Sequence, residues 1–227
     1  MLLARITGLS GRIHRVDDFA QMKTKTLLRI LFLLILAALA TEALRAQSAS
    51  QSTILRPPAG SKVALVEFAD LECPDCARAA PLLEEAAKTY KIPVVVYDFP
   101  LPQHPWAFDA SVYAHYFRTK STPKDPLETK FRLYIYENQS AITQQNLRSY
   151  VEKFAADNKT VVPFVVDPQG KLAAAVRAAK DKGIAVNIQH TPTIYVVTAK
   201  TSGTPFVEVV NRNDLFALID QAKAETK

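Results

Sequence analysis

The feature that most constrains this chain is a cysteine pair set at a seam. Both cysteines of the 227 residues lie in Cys73-Pro74-Asp75-Cys76. Before the pair, Val63 to Ala69 is a near-continuous apolar run, as expected of a strand buried on both faces. After it, Pro74 to Tyr90 reads as a helix, with Pro suited to a first helical position and Ala77, Ala80, Leu83, Ala86 and Ala87 marking one face. Pro81 lies inside that helix and should bend it. Pro93 then opens a second strand, Val94 to Phe99. Strand, helix, strand is the unit that makes a parallel pair with a right-handed crossover.

Cys73 therefore falls where the strand hands over to the helix, and Cys76 almost one turn later, a separation that permits a disulfide. The unpaired N–H groups and positive dipole end of the helix favour a Cys73 thiolate, whereas Cys76 lies further inside. This arrangement suits a nucleophile followed by a resolving thiol. Three plainer roles compete. A structural disulfide would close a very short loop and stabilise little. A zinc site needs about four ligands, and beyond the N-terminal leader only the scattered His104, His115 and His190 are at hand. Incidental pairing of two buried thiols is the third.

The rest of the chain extends the pattern. Helices are expected at Trp106 to Thr119, Leu127 to Tyr136, Gln144 to Ala156 and Gly170 to Lys182, with a short strand-like piece at Val161 to Val166. Aromatic stripes such as Tyr113, Tyr116 and Phe117 read as core. Gly183 suits a helix C-terminus. Two β-rich runs follow, Thr193 to Thr198 and Phe206 to Val210, separated by a turn region around Ser202-Gly203. Asn213 or Asp214 could cap a last helix from Leu215 to about Ala224. The order predicts an α/β fold with a helical block inserted into one sheet. No internal repeat is visible.

Charge adds an address. The chain carries 28 Lys and Arg against 22 Asp and Glu, a net +6, but residues 1–40 hold a +4 excess, and what remains has no basic-aromatic interleaving. No nucleic-acid footprint survives that division. Lys23, Lys25 and Arg29 precede the apolar run Ile30 to Ala40, which ends in Ala38-Leu39-Ala40. That is the layout of a secretory signal peptide over residues 1–40. An uncleaved anchor is the alternative, although a span needs about 20 apolar residues. Cleavage could also follow Ala43 or Ala46, and translation from Met22 would leave residues 1–21 unmade. Residues 41–61, rich in Ser, Gln, Ala and Pro, read as a mobile lead-in to a domain over 62–227, with the helical insertion at about 104–183. An exported CxxC should be able to oxidise.

The segment Val66-Glu67-Phe68-Ala69-Asp70-Leu71-Glu72-Cys73-Pro74-Asp75-Cys76 resembles the active-site segment of the thioredoxin superfamily. The insertion before Thr191-Pro192-Thr193, and the stretch Phe99-Pro100-Leu101-Pro102-Gln103-His104-Pro105, make the chain look like the DsbA-like thiol:disulfide oxidoreductases. The resemblance covers about Lys62 to Lys227 and implies a thioredoxin fold with an inserted helical subdomain. It implies that Thr191-Pro192 is a cis-proline loop that docks an extended substrate. It further implies that Glu67 is a buried acid beneath Cys76, able to relay a proton to it; a solvent-facing or Lys-paired Glu67 is the plainer alternative. His104 and His190 read as loop or packing residues. The implied partners are cysteine-containing exported proteins and a membrane redox partner that resets the motif, in the periplasm or cell envelope, with no metal, organic cofactor or nucleic acid. A reductase or isomerase running the same exchange in reverse is an alternative, as is a non-catalytic module holding unfolded clients. The strongly oxidising archetype has Pro-His between its cysteines. Here Pro74-Asp75, with Asp70 and Glu72 nearby and only Arg78 to offset them, predicts a Cys73 pKa above the archetype's about 3.5 and a potential between it and thioredoxin.

Overall fold

A computed structural model describes residues 29–42, 54–200 and 205–226. It separates into two units, residues 1–49 and 50–227. In the first, helix α1 covers residues 29–42, and its large apolar side chains, including Ile30, Phe32, Leu34 and Leu39, are exposed. Among the described residues no helix is long and apolar enough to cross a membrane. The expected leader falls partly on residues 1–28, outside the described residues.

The second unit runs β1 (Val63–Ala69), α2 (Pro74–Tyr90), β2 (Val94–Asp98), α3 (Ala107–Lys120), α4 (Leu127–Asn138), α5 (Leu147–Asp157), α6 (Lys171–Ala185), β3 (Thr193–Thr198), β4 (Phe206–Glu208) and α7 (Leu215–Glu225). The strands form one sheet in the order β2-β1-β3-β4. β1 and β2 are parallel, as a crossover through α2 requires, while β3 is antiparallel to both β1 and β4. Helices α3 to α6 all lie between β2 and β3, so the predicted insertion is present.

Alternation along β1 sorts the core. Val63 and Leu65 pack with Ala79, Leu83 and Ala86 of α2 and Leu215 and Ile219 of α7 on one face. Ala64, Val66 and Phe68 pack on the other with Phe99, Val186 and Ile188. Leu55 is fully buried in that second cluster, so the lead-in expected over 41–61 already belongs to the folded unit at Leu55. The inserted helices have their own core, in which Phe117, Phe131 and Phe154 meet edge-on or tilted at centroid distances of 4.7 to 5.2 Å. Leu71, two residues before Cys73, joins it.

Several boundaries differ from the sequence expectation. Val161 to Val166 forms no strand, because its carbonyls are taken by side chains: Tyr116 Oη donates to Val161 O at 2.6 Å and the Arg148 guanidinium to Val162 O and Pro163 O at 3.3 and 3.0 Å. Gly183 does not end its helix; α6 continues to Ala185. Its role is close approach, since a Cβ there would stand 2.6 Å from Cε2 of Phe99. Helix α5 starts at Leu147 because Thr143 N–H and Asn146 N–H donate to each other's side-chain oxygens and close a turn first. Neither Asn213 nor Asp214 caps through its side chain; Asn211 Oδ1 accepts from Asn213 N–H at 3.1 Å and starts the short turn before α7. The turn around Ser202-Gly203 lies outside the described residues.

Candidate active site

β1 ends at Ala69, and Asp70 to Glu72 turn the chain so that Cys73 becomes the N-cap of α2, extended at φ −80° and ψ 118°, with Pro74 following. Cys73 has no hydroxyl or carboxyl to spend on the free amides of the first turn, so those amides face its sulfur. Both cysteines are thiols in this structure, Cys73 at 7% exposure and Cys76 at 0%. Cys73 Sγ donates to the carbonyl of Thr191 at 3.3 Å, and Asp70 N–H donates to Cys76 Sγ at 3.4 Å. The Thr191–Pro192 peptide is cis. The Thr191 hydroxyl is buried without a partner of its own among the described residues.

The two thiols are driven apart. A hydrogen bond from Cys76 is the main influence that brings the Cys73 pKa down to about 5, against the opposing effect of burial and with help from Thr191 and the Cys76 and Asp75 amides. Burial, with the Cys73 bond and the Glu67 charge adding to it, pushes Cys76 far up. One sulfur is therefore anionic near neutral pH and the other holds its proton.

Glu67 is 5% exposed, and its Oε1 has no hydrogen-bond partner among the described residues. It lies on the α2 face of β1 between Leu65 and Ala69, and Ala69 packs directly on Cys73 and Cys76. Burial raises its pKa to about 7, against the lowering charge of Arg132. The solvent-facing and Lys-paired alternatives for Glu67 do not hold.

The acids expected to oppose the Cys73 thiolate are engaged elsewhere. Asp70 is fully buried and accepts from Glu72 N–H, Leu101 N–H and His104 Nδ1, each at 2.7 Å. Glu72 Oε2 accepts from the N–H groups of Trp106 and Ala107 at 2.8 and 3.0 Å, satisfying the start of α3. Asp75 is held below the usual carboxylate range by Arg212 first and Arg78 second, each at 2.8 Å. Arg212, more than 130 residues from the motif in sequence, is the partner that the local reading lacked. His104 thus braces the loop, and His190 is exposed with Nδ1 3.1 Å from Thr193 Oγ1.

A third buried acid lay outside the expected set. Asp98, at the end of β2, accepts from Arg132 Nη1 and Nη2 at 2.9 and 3.0 Å and sits 2.9 Å from His115 Nε2. Glu128 adds a 3.1 Å bond to Arg132. Burial would raise the Asp98 pKa, but Arg132 and His115 outweigh it and hold it well below the usual range. An acid closing an otherwise apolar strand carried the same signal that marked Glu67. Arg132 carried none, because its partner lies 34 residues away. Tyr136 of α4 also packs beside Cys73 and Cys76. Among the described residues no group of three or more His, Cys, Asp or Glu could hold a metal ion.

The family model described as thioredoxin matches residues 57–212. No curated protein matches in sequence. Among solved structures, ScsC of Proteus mirabilis in a transitional conformation is 18% identical over 96% of this chain and 100% of its own, with a TM-score of 0.61. Wolbachia pipientis alpha-DsbA1 is 14% identical over 75% and 90% of the two chains, TM-score 0.59. A periplasmic thioredoxin-like protein of Salmonella enterica serovar Typhimurium is 18% identical over 74% and 88%, TM-score 0.57. At these identities the likeness is one of fold.

Proposed function

The chain belongs to the thioredoxin family, and from that membership we propose that it is a thiol:disulfide oxidoreductase acting on cysteines of exported proteins. The carrying observation is the split thiol pair: Cys73 favoured as thiolate at the helix N-terminus, Cys76 buried and protonated one turn on.

In the oxidising direction, a substrate thiolate attacks Cys73 Sγ of the Cys73–Cys76 disulfide. The Cys73–Cys76 bond breaks and Cys76 leaves, taking a proton that the Glu67 carboxyl can supply. A second substrate thiolate then attacks the substrate sulfur of the mixed disulfide and releases Cys73 as a thiolate. The substrate loses two electrons, and the enzyme's disulfide becomes a dithiol. The low Cys73 pKa makes it a good leaving group in that last step. Thr191, whose carbonyl already meets Cys73 Sγ, and Pro192 frame the approach of an extended substrate. The membrane partner that reoxidises the pair, and delivery to the periplasm or cell envelope by residues 1–40, complete the proposal.

Replacing Cys76 by Ala should accumulate mixed disulfides through Cys73, and Cys73→Ala in the same chain should abolish them. Trapped species identified after expression with the native leader name the substrates and their compartment. Absence of any trapped species, together with no insulin reduction by the wild type, sinks the proposal. Equilibration with glutathione buffers decides the direction.

A further inference from the structure

Among the described residues β2 is an edge strand, paired only with β1. Leu65 N–H donates to Pro93 O and Phe99 N–H to Ala69 O, which sets the phase of the parallel ladder. Pro93, Val95 and Tyr97 turn their peptide groups toward β1, so those of Val94 and Val96 point outward, where among the described residues no strand receives them. Such edges are ordinarily covered or blunted. This one is recessed instead. Small side chains on α2 (Ala80, Ala87) and α6 (Ala175, Ala178, Ala179) line a cleft of about 770 Å³ beside it, which His115 and Arg118 of α3 and Glu128 and Arg132 of α4 also line. The buried Glu67 lines the same cleft with Oε1 unpartnered.

We propose that this cleft binds an extended peptide as an added strand on β2, non-covalently and without thiol exchange. Hydrogen bonding decides the chemical class. Val94 and Val96 each offer one N–H and one C=O, two residues apart, the repeat of an extended backbone. An acyl chain or aromatic ring would leave all four groups unpaired. Ala175, Ala178, Leu83 and Leu133 take apolar side chains of the peptide while Glu84, Arg118 and Glu128 on the same lining take polar ones, and a recess enclosed by α2, α3, α4 and α6 admits one strand rather than a sheet. At the Tyr97 end, the exposed Lys182 ammonium lies 4.7 Å from the ring centroid, which favours an acidic residue on the peptide there. The occupant that fits is a stretch of unfolded polypeptide, with no cysteine required.

The site is tested with the full chain and a fluorescent, cysteine-free peptide of alternating Val and Thr ending in Glu, read by anisotropy. Binding should survive Cys73→Ala, which separates this site from the exchange chemistry. Methylating alternate peptide nitrogens should weaken binding about tenfold or more, as loss of two hydrogen bonds does. Ala175→Trp, which fills the cleft, should cost a similar factor with insulin reduction unchanged. Val94→Pro, which removes only an outward N–H, provides a second variant, since Pro is accepted on edge strands. No binding to the wild type, equal binding of the methylated peptide, or full binding by both variants overturns the proposal.

Discussion

Glu67 and Asp98 occupy neighbouring parallel strands on the same face of the sheet, and both are almost wholly buried, at 5% and 1% exposure. Burial pushes Glu67 up to about 7, whereas Asp98 is held far below its ordinary range. The difference lies in partners. Asp98 receives both arms of Arg132 and the ring of His115, from two inserted helices, so its charge is paid for and ties the insertion to the sheet. Glu67 sits among Leu65, Ala69 and the thiols with an oxygen unpaired. One carboxylate is architecture, and the other is left able to hold or give a proton near neutral pH.

The largest effect that can break this contrast is loss of Asp98. Asp98→Ala strands the Arg132 guanidinium in the interior and should cost about 3–5 kcal/mol, read by urea unfolding. Replacing Asp98 and Arg132 together by Leu and Met should recover most of that loss. A loss under about 1 kcal/mol for Asp98→Ala would mean the pair is not what joins insertion to sheet.

Glu67→Gln should act in the opposite sense, and only with pH. The folded pKa of about 7 stands above the ordinary 4.5. The stabilising contribution is therefore complete below about pH 4.5 and is lost as pH rises to 7. Gln carries no charge, so unfolding of the reduced proteins should show the variant gaining on wild type by about 3 kcal/mol between pH 4 and pH 8. A difference independent of pH would put Glu67 with Asp98. Formation of the mixed disulfide by the oxidised variant should also slow, since the proposed proton supply to the leaving Cys76 is removed.

Much of the sheet was readable because its signals are local. The apolar run of β1, Pro74 at the start of α2 and the β-rich Thr193 to Thr198 each sit where the structure has them. The errors share a different cause. Val161 to Val166 looks like a strand, yet Arg148 and Tyr116 on separate helices consume its carbonyls, and Phe164 is left 95% exposed. Cys73, Cys76 and Glu67 could be picked out from one segment and its resemblance. Arg132, Arg212 and Tyr136 could not, because their partners come from distant parts of the chain.

Gly183 tests the same lesson at smaller scale. A methyl group there meets the ring of Phe99 and also comes within 3.1 Å of Phe68. Helix propensity favours Ala over Gly by about 1 kcal/mol, but overpacking typically costs 1–3 kcal/mol. Gly183→Ala should lower stability by up to about 2 kcal/mol in thermal unfolding. A gain would restore the reading of Gly183 as a mere helix-end residue.

The smallest effect belongs to the third carboxylate. Asp75 is between the cysteines in sequence and was expected to weaken the Cys73 thiolate, but its side chain is half-exposed and shared by Arg78 and Arg212. Its negative charge is largely cancelled by the two cations it holds in place. Removing it by Asp75→Asn frees both, and exposed pairs of this kind are worth about 0–1 kcal/mol each. Thiolate absorbance across pH should show the Cys73 pKa of about 5 falling by less than one unit. A larger fall would mean that Asp75 opposes the thiolate directly and that its arginine partners do not screen it; no change would leave Cys76, Thr191 and the helix amides in sole control of the reactive sulfur.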